Sequence, residues 1–514
     1  MFASHRLATL ALAAAVLAPA VLAPASANAM DDLVAAISSG PTQLGLCGDG
    51  DAPLKPAACK EDGLDTLAAQ IDKVFAATVA KAPVNAKPLL KRDQVWFGEI
   101  VVNAAESMPQ SDNADDRQAF VASLRQRVGT LEAIAAGLGR SGIAGRWVNA
   151  FGSVVVTPVQ DGAYRIAIET RAVYGTDDER HRECQASTLV RAEPRGWLSG
   201  TILKEHAPTT GEATATADDT NPLTLKIRRQ GQTLRVVVDG KDSTYATLPG
   251  CRFVGQLTAS YFAAGAADSA VATADKADAG FVAPTFDCAR PATASDEEIC
   301  ADPDLADNDQ RLNRAWKALL PRLDPTTRRA LIEDQRGYVG AQSNQYPISL
   351  HPAQNKQSYF MHFTAAARYE LNGLQRERIA LLEGFDENRH GFAGVWLAHD
   401  AILKVTAEAD GSLTAEGWKW NQGDWKGGCD YAIEGKVVGV VFRSNDKGEN
   451  PDTLERDHAT LVVNRQDDVF AKKRFRSDGT LDPNAVEPKC KRISSSTARL
   501  FPARPSPDLD NAIR

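Results

Sequence analysis

Gly142-Ile143-Ala144-Gly145-Arg146-Trp147 returns 249 positions later as Gly391-Phe392-Ala393-Gly394-Val395-Trp396. Asp161-Gly162 returns at the same offset as Asp410-Gly411. Upstream of each hexapeptide runs a second matched series, at an offset of 241. In it Cys47, Cys59, Leu64, Ile71, Phe75 and Asp93-Gln94 match Cys288, Cys300, Leu305, Leu312, Trp316 and Asp334-Gln335. Downstream, Cys184 and Cys251 are followed in kind by Cys429 and Cys490. Matches in one order along the chain are the signature of a duplication. The offsets differ by eight residues, and the segment Tyr346 to Pro352 is the natural host of the extra ones.

Each copy reads as helices followed by short strands. Asp302 before Pro303 is an N-cap with proline at the first helical position, and Asp324-Pro325 repeats the signal. Leu305, Leu312, Trp316 and Leu319 fall on one helical face, Leu331, Gln335 and Tyr338 carry the next helix, and a third spans about 358–382. The hexapeptides open alternating stretches: Ser153 to Thr157, Tyr164 to Thr170, Thr224 to Ile227 and Leu234 to Val238, then Ile402 to Thr406, Val437 to Phe442 and Thr460 to Asn464. The Asp-Gly pairs at 161, 239, 410 and 478 are hairpin turns between them. The expected fold class is α+β: a tandem duplication of a small disulfide-tied three-helix module followed by an antiparallel β barrel or sandwich. Gly145 to Trp147 and Gly394 to Trp396 are similar to the opening of lipocalin-like barrels, although a packed core tryptophan without a ligand cavity is the preferred reading of so short a motif.

The N-terminal residues 1–29 read as a secretory signal, with Arg6, an apolar run from Leu7 to Leu22 and the cleavage site Ala27-Asn28-Ala29. The expected division is 30–140 helical module, 141–262 β module, 263–284 linker, 285–386 helical module, 387–493 β module and 494–514 tail. Ala263 to Ala283 is rich in Ala and Asp, which suits a linker, and predicts halves that fold separately. Pro208 to Pro222 reads as a long loop inside the first β module. A net charge of −8 is mildly acidic and argues against nucleic acid, and no later stretch is apolar enough to span a membrane. Eight cysteines in an exported chain read as four disulfides. The duplication favours Cys47–Cys59, Cys184–Cys251, Cys288–Cys300 and Cys429–Cys490, each within one module. Close cysteine pairs of the zinc type are absent.

Phe286-Asp287-Cys288-Ala289, Ile299-Cys300, Asp302-Pro303-Asp304-Leu305, Asp309, Leu312 and Gln335-Arg336 resemble the N-terminal domain of the LprI-type lysozyme inhibitors. The resemblance runs over about 285–343, with a diverged copy at about 44–103 that keeps Cys47, Cys59 and Gln94. Tyr338 stands where that family usually has tryptophan. The resemblance implies a non-catalytic periplasmic or secreted protein of the cell envelope that binds a protein such as lysozyme.

Trp418, Trp420 and Trp425 form a cluster before Gly427-Gly428-Cys429, where the first copy has Glu169, Arg171 and Thr176. Such a face either binds a glycan or protein partner or fills a barrel interior. A glycan or small-ligand binding module using the β domains is therefore the second functional reading, and an envelope hydrolase the third. Hydrolase, metalloprotease, P-loop and dinucleotide motifs are absent, so no catalytic residue, metal or cofactor is nominated. His399-Asp400 reads as an isolated adjacency.

Overall fold

The computed structural model describes residues 42–49, 52–107, 114–150, 152–170, 184–202, 223–240, 257–265, 280–343, 360–421, 424–445, 451–464 and 498–510. The signal at 1–29, the loop from Pro208 to Pro222, the segment from Tyr346 to Pro352, the Asp478-Gly479 turn and all but the ends of the linker lie outside the described residues.

The first helical unit comprises α1 (Pro56–Glu61), α2 (Leu64–Lys81), α3 (Lys87–Ser107) and α4 (Ala114–Gly137). On α2 the residues Leu64, Ala68, Ile71, Phe75 and Thr78 are buried at helical spacing. The first four join Phe97 and Ile100 of α3 and Leu124 and Leu131 of α4 in one core. Strands β1 (Gly145–Val148), β2 (Gly152–Pro158), β3 (Tyr164–Thr170), β4 (Cys184–Ala192), β5 (Leu198–Thr201), β6 (Thr224–Gln230), β7 (Thr233–Asp239) and β8 (Ala259–Ala263) follow. Each pairs antiparallel with the next, and β8 returns to β1 at Trp147↔Ala263, closing a barrel.

The second copy repeats this order. Its helical unit has α5 (Ala294–Ala301), α6 (Pro303–Leu319), α7 (Pro325–Ser343) and α8 (Phe360–Glu383). The three longer helices match the expected ones, and Asp302 and Asp324 cap α6 and α7 through their carboxylates. The short α5 is additional, opened by a capping box between Thr293 and Asp296. Then come β9 (Gly394–Leu397), β10 (Ala401–Ala407), β11 (Leu413–Asn421), β12 (Asp424–Val438), β13 (Val441–Ser444), β14 (Thr453–Asp457), β15 (Thr460–Asn464), β16 (Ala498–Ala503) and a final turn of helix, α9 (Pro507–Asp510). These eight strands form a second closed antiparallel barrel, so barrel rather than sandwich is the architecture in both copies.

Two expectations are corrected here. Residues 494–514 are not a tail: β16 pairs with β15 and β9 and closes the barrel, and Leu500, Phe501 and Ala503 are buried. The Ser- and Pro-rich surroundings hide a six-residue strand whose apolar side chains have a place only in the assembled barrel. Val437 to Phe442 is not one strand but a hairpin, turning at Gly439 with φ 66° and pairing Val437 with Phe442.

Inside the barrels the inward side chains fill the centre. Trp147, Ile166, Ile168, Leu234 and Tyr261 are buried together in the first, and Trp396, Leu403, Phe442, Leu454 and Leu500 in the second. Each tryptophan donates its indole N–H to the carbonyl four residues back, Ile143 or Phe392, at 2.7 Å. Arg140 lies 4.5 Å over the Trp147 ring and Arg389 5.1 Å over Trp396.

Along β2 the side chains alternate, with Val154 and Val156 buried and Val155 39% exposed. On β6 and β7 the alternation fails, because Arg228, Gln230, Thr233, Arg235 and Val237 point outward and are buried too. Their cover is the helical unit of the other half, and the core of the first helical unit likewise runs on into Ala294 and Ala301 of α5. The expectation of separately folding halves leaves out this shared interface. Its partners lie some 60–200 residues apart, beyond what local composition encodes.

Candidate functional site

In each copy one aspartate ties the helices to their own barrel. Asp93 accepts from the Ala150 backbone N–H at 3.0 Å and pairs with Arg127 Nη1 at 2.8 Å. Arg127 also donates to Gln94 Oε1 and lies 5.0 Å over the Phe97 ring. Asp334 does the same with the His399 N–H at 2.9 Å and Arg378 Nη1 at 2.5 Å. Arg378 donates to Gln335 Oε1 at 2.8 Å and lies 5.3 Å over Tyr338. The duplicated Asp-Gln pair of the sequence is thus the visible part of a four-residue clamp.

The second copy adds a titratable ring. His399 Nδ1 lies 2.7 Å from Asp334 Oδ1 and 3.9 Å from Asp400. Its adjacency to Asp400 is therefore not isolated: the turn after β9 swings the imidazole onto α7, which the alternation rule for strands does not anticipate. Burial works against the imidazolium, yet the hydrogen bond and charge of Asp334 prevail and raise its pKa. Burial likewise opposes ionisation of Asp334, while Arg378 and then His399 hold its carboxyl below the usual range.

A larger charged cluster surrounds the Cys288–Cys300 bridge, whose Cα atoms are 5.8 Å apart. Glu298 on α5 receives Arg92 from α3 at 3.1 Å and Arg235 from β7. Asp302 uses one oxygen to cap α6 and the other to receive Arg235 at 3.2 Å and Arg368 of α8 at 2.6 Å. Glu298, Asp302 and Arg235 have no exposed surface. Gln230 of β6 donates to the Cys300 carbonyl at 2.9 Å.

Outside this centre the β4–β5 turn sits on α6. Trp197 Nε1 donates to Asp304 at 3.0 Å and Arg195 pairs with Asp307 at 2.9 Å. Arg195 holds φ 69°, a left-handed conformation uncommon for residues other than glycine. Burial raises the Asp302 carboxyl, but Arg368 and Arg235 bring it below the ordinary value. Glu297 faces α3 and is pushed up to about 8 by burial, with Arg92 opposing and Glu298 adding to the rise.

Chemically the cluster locks surfaces together. Its cations are guanidiniums, which do not give up protons near neutral pH. Its two central carboxylates are sealed from solvent and already paired. Among the described residues no group of three His, Cys, Asp or Glu could hold a metal ion, and no helix is long and apolar enough to cross a membrane.

Of the expected site residues, Cys47–Cys59 is bridged, with a Cα separation of 6.0 Å, as is Cys288–Cys300. Cys184 is disulfide-bonded and buried at the start of β4, but its partner lies outside the described residues, as do Cys251 and Cys490. Cys429 is in β12 opposite Lys419. Trp418 and Trp420 are in β11, opposite Asp430 and Gly428, and Trp425 is in β12. The side chains of these tryptophans and of Cys429 lie outside the described residues.

Sequence reasoning did not nominate Arg235, Arg368 or His399. The repeated Asp-Gln pair marked one end of the clamp, but arginines scattered over strands and helices carry no spacing that singles them out.

Residues 288–382, the second helical unit, match the family described as Lysozyme inhibitor LprI, so this part of the chain is similar to that family's domain. The match extends well beyond the expected 285–343, taking in nearly all of α8. The match does not include the first helical unit, which has an aspartate clamp and a cysteine bridge at the corresponding places. No curated protein and no solved structure matches the chain.

Proposed function

We propose that the chain is a non-catalytic envelope protein, periplasmic or secreted, that binds and inhibits a lysozyme through its LprI-type domain. The observation that carries this reading is the match of residues 288–382 to the LprI inhibitors, on a unit whose cysteine bridge, caps and clamp are all assembled. Chemistry agrees with it, since the charged residues at the heart of the unit are spent on holding it in place. A binder needs a rigid, pre-organised surface more than a reactive group. On the outer side of the unit Val339 and Tyr369 are each 50% exposed.

The test is titration of chain lacking residues 1–29 against lysozyme, read both as residual cell-wall lysis and as binding by calorimetry. Saturable binding at micromolar concentration with loss of lysis is the expected result. No binding and no loss of lysis in that range would remove lysozyme as the partner.

A further inference from the structure

Helix α6 is split by charge. Asp302, Asp304 and Asp307 stand at its start, whereas the exposed cations Arg311, Arg314 and Lys317 follow in its second half, the first of them paired with Glu383. A cationic protein is therefore drawn to the first half and repelled by the second. In this chain the acidic half is already taken. Barrel one lies across it with Arg195 and Trp197 of the β4–β5 turn, Arg228 of β6 and Arg235 of β7. Arginine and tryptophan dominate the binding energy of protein interfaces, so the occupant has the make-up of a cationic partner.

The contact is sealed at its centre and loose at its rim. Arg235 is buried against Glu298 and Asp302. At the rim the side chains of Arg195 and Asp307 stay 63% and 38% exposed, and exposed pairs of this kind add little stability. Arg228, across the ladder from Arg235, keeps only 7% of its surface and lies among Asp304, Asp302 and Asp307. Its Nε nevertheless has no hydrogen-bond partner among the described residues. Burial lowers its pKa, with the three aspartates opposing and Arg195 adding to the fall. The turn is also unfavourable in itself: Arg195 and Gly196 stand at φ 69° and 78°, a conformation that only the glycine adopts freely.

We propose that barrel one is a built-in competitor for the LprI-type unit: its β4–β5 turn covers Asp304 and Asp307, the surface to which a cationic protein binds once the turn lifts. Lysozyme as that protein rests on the function proposed above; the covered face and its charge belong to the fold itself. The sealed centre at Arg235 keeps the halves joined while the rim opens.

Titrating two cationic probes, hen lysozyme and a decalysine peptide, against the chain lacking residues 1–29 tests this. Arg195→Gly with Trp197→Phe loosens the turn, because glycine suits the φ at 195 and phenylalanine keeps a ring without the indole N–H. Lys404→Ala removes one exposed positive charge from barrel two and serves as control. Melting curves confirm that the variants are folded, and Arg195→Gly alone is used should the tryptophan exchange fail. The turn variant is expected to bind both probes about tenfold more tightly than wild type, since a closed state no longer competes. Adding Asp304→Asn and Asp307→Asn should remove the gain, and Lys404→Ala should show none. A decalysine gain with no lysozyme binding by either protein removes lysozyme as the partner and leaves the covered face in place. Equal decalysine binding by wild type and turn variant overturns the competitor. So does lysozyme bound by both with equal affinity, which leaves the lysozyme function standing with its docking site elsewhere. A gain that survives the asparagines, or that Lys404→Ala matches, overturns it as well.

Discussion

The His399 ring occupies the space where Gly337 lacks a side chain: a Cβ placed on that glycine would lie 2.5 Å from His399 Nε2. In the first copy the sizes are exchanged. Trp96 stands where Gly337 does, 241 positions earlier, and Ala150 where His399 does, 249 positions earlier. Trp96 and Ala150 both belong to the first helical core. Each copy thus fills the seam between helices and barrel with one large residue and one small one, contributed from opposite sides.

Gly337→Ala should therefore destabilise the second half by about 1–3 kcal/mol, the usual cost of overpacking. Gly337→Trp alone should be worse, and adding His399→Ala should recover much of the loss by restoring the arrangement of the first copy. Urea denaturation of the three variants measures this. A double variant no better than Gly337→Trp would show that the exchange is not compensatory.

The seam also responds to pH. The pKa of His399 is raised above 6.5, so its charged pairing with Asp334 stabilises fully below that pH and is lost as pH climbs through the raised value. Asp334 is held below 3.8, so its contribution is present above that pH and lost as pH falls through the lowered value. This pair should stabilise most between about pH 4 and 6.5. A series of melts should show His399→Gln losing more stability relative to wild type at pH 5.5 than at pH 8. An equal deficit at both would exclude the imidazole as the cause.

Glu297 gives a second trend, at the interface between halves. Its pKa rises from 4.5 to about 8, so it stays protonated in the fold at neutral pH. Its contribution is full below 4.5 and is lost as pH rises toward 8. Glu297→Gln keeps the neutral form at every pH, and its advantage over wild type should grow steadily across that window. A constant difference would mean the carboxyl ionises without penalty.

Arg235 and Glu298 are buried with no exposed surface, and removing either leaves a charge in the interior. Arg235→Ala and Glu298→Ala should each cost about 3–5 kcal/mol. The double variant should cost clearly less than their sum, although Asp302 and Arg92 still hold charges to the same partners. Additive losses in a double-mutant cycle would mean the two side chains do not act on each other. Limited proteolysis of either single variant should release fragments that wild type resists.

Stopping the chain after residue 497 removes β16, and with it the partner of both β9 and β15. Buried Leu500 and Phe501 leave with it, opening the barrel to solvent. The second barrel should lose its cooperative melting transition while the first keeps its own. A truncated protein that melts like wild type would show that the strand is dispensable.

Sequence alone determined the repeated architecture, the place of the long helices, most strands and the Cys47–Cys59 and Cys288–Cys300 bridges, because each is written in local spacing. Caps at Asp302 and Asp324, alternation along β2 and β10, and matched cysteine intervals need no knowledge of distant neighbours. Tertiary structure alone decided what lies on the outer faces of those elements. In Thr224–Gln230 and Thr233–Asp239 the pattern assigns Arg228, Gln230 and Arg235 to water, yet all three are buried. Periodicity reports which side of a strand meets its own core, and it is silent when a second body covers the other side. Likewise nothing near Ala498–Ala503 marks it as the closing strand, and nothing near His399 names Gly337 as its neighbour. Those contacts join segments far apart in the chain, and their energy exists only once both surfaces have formed.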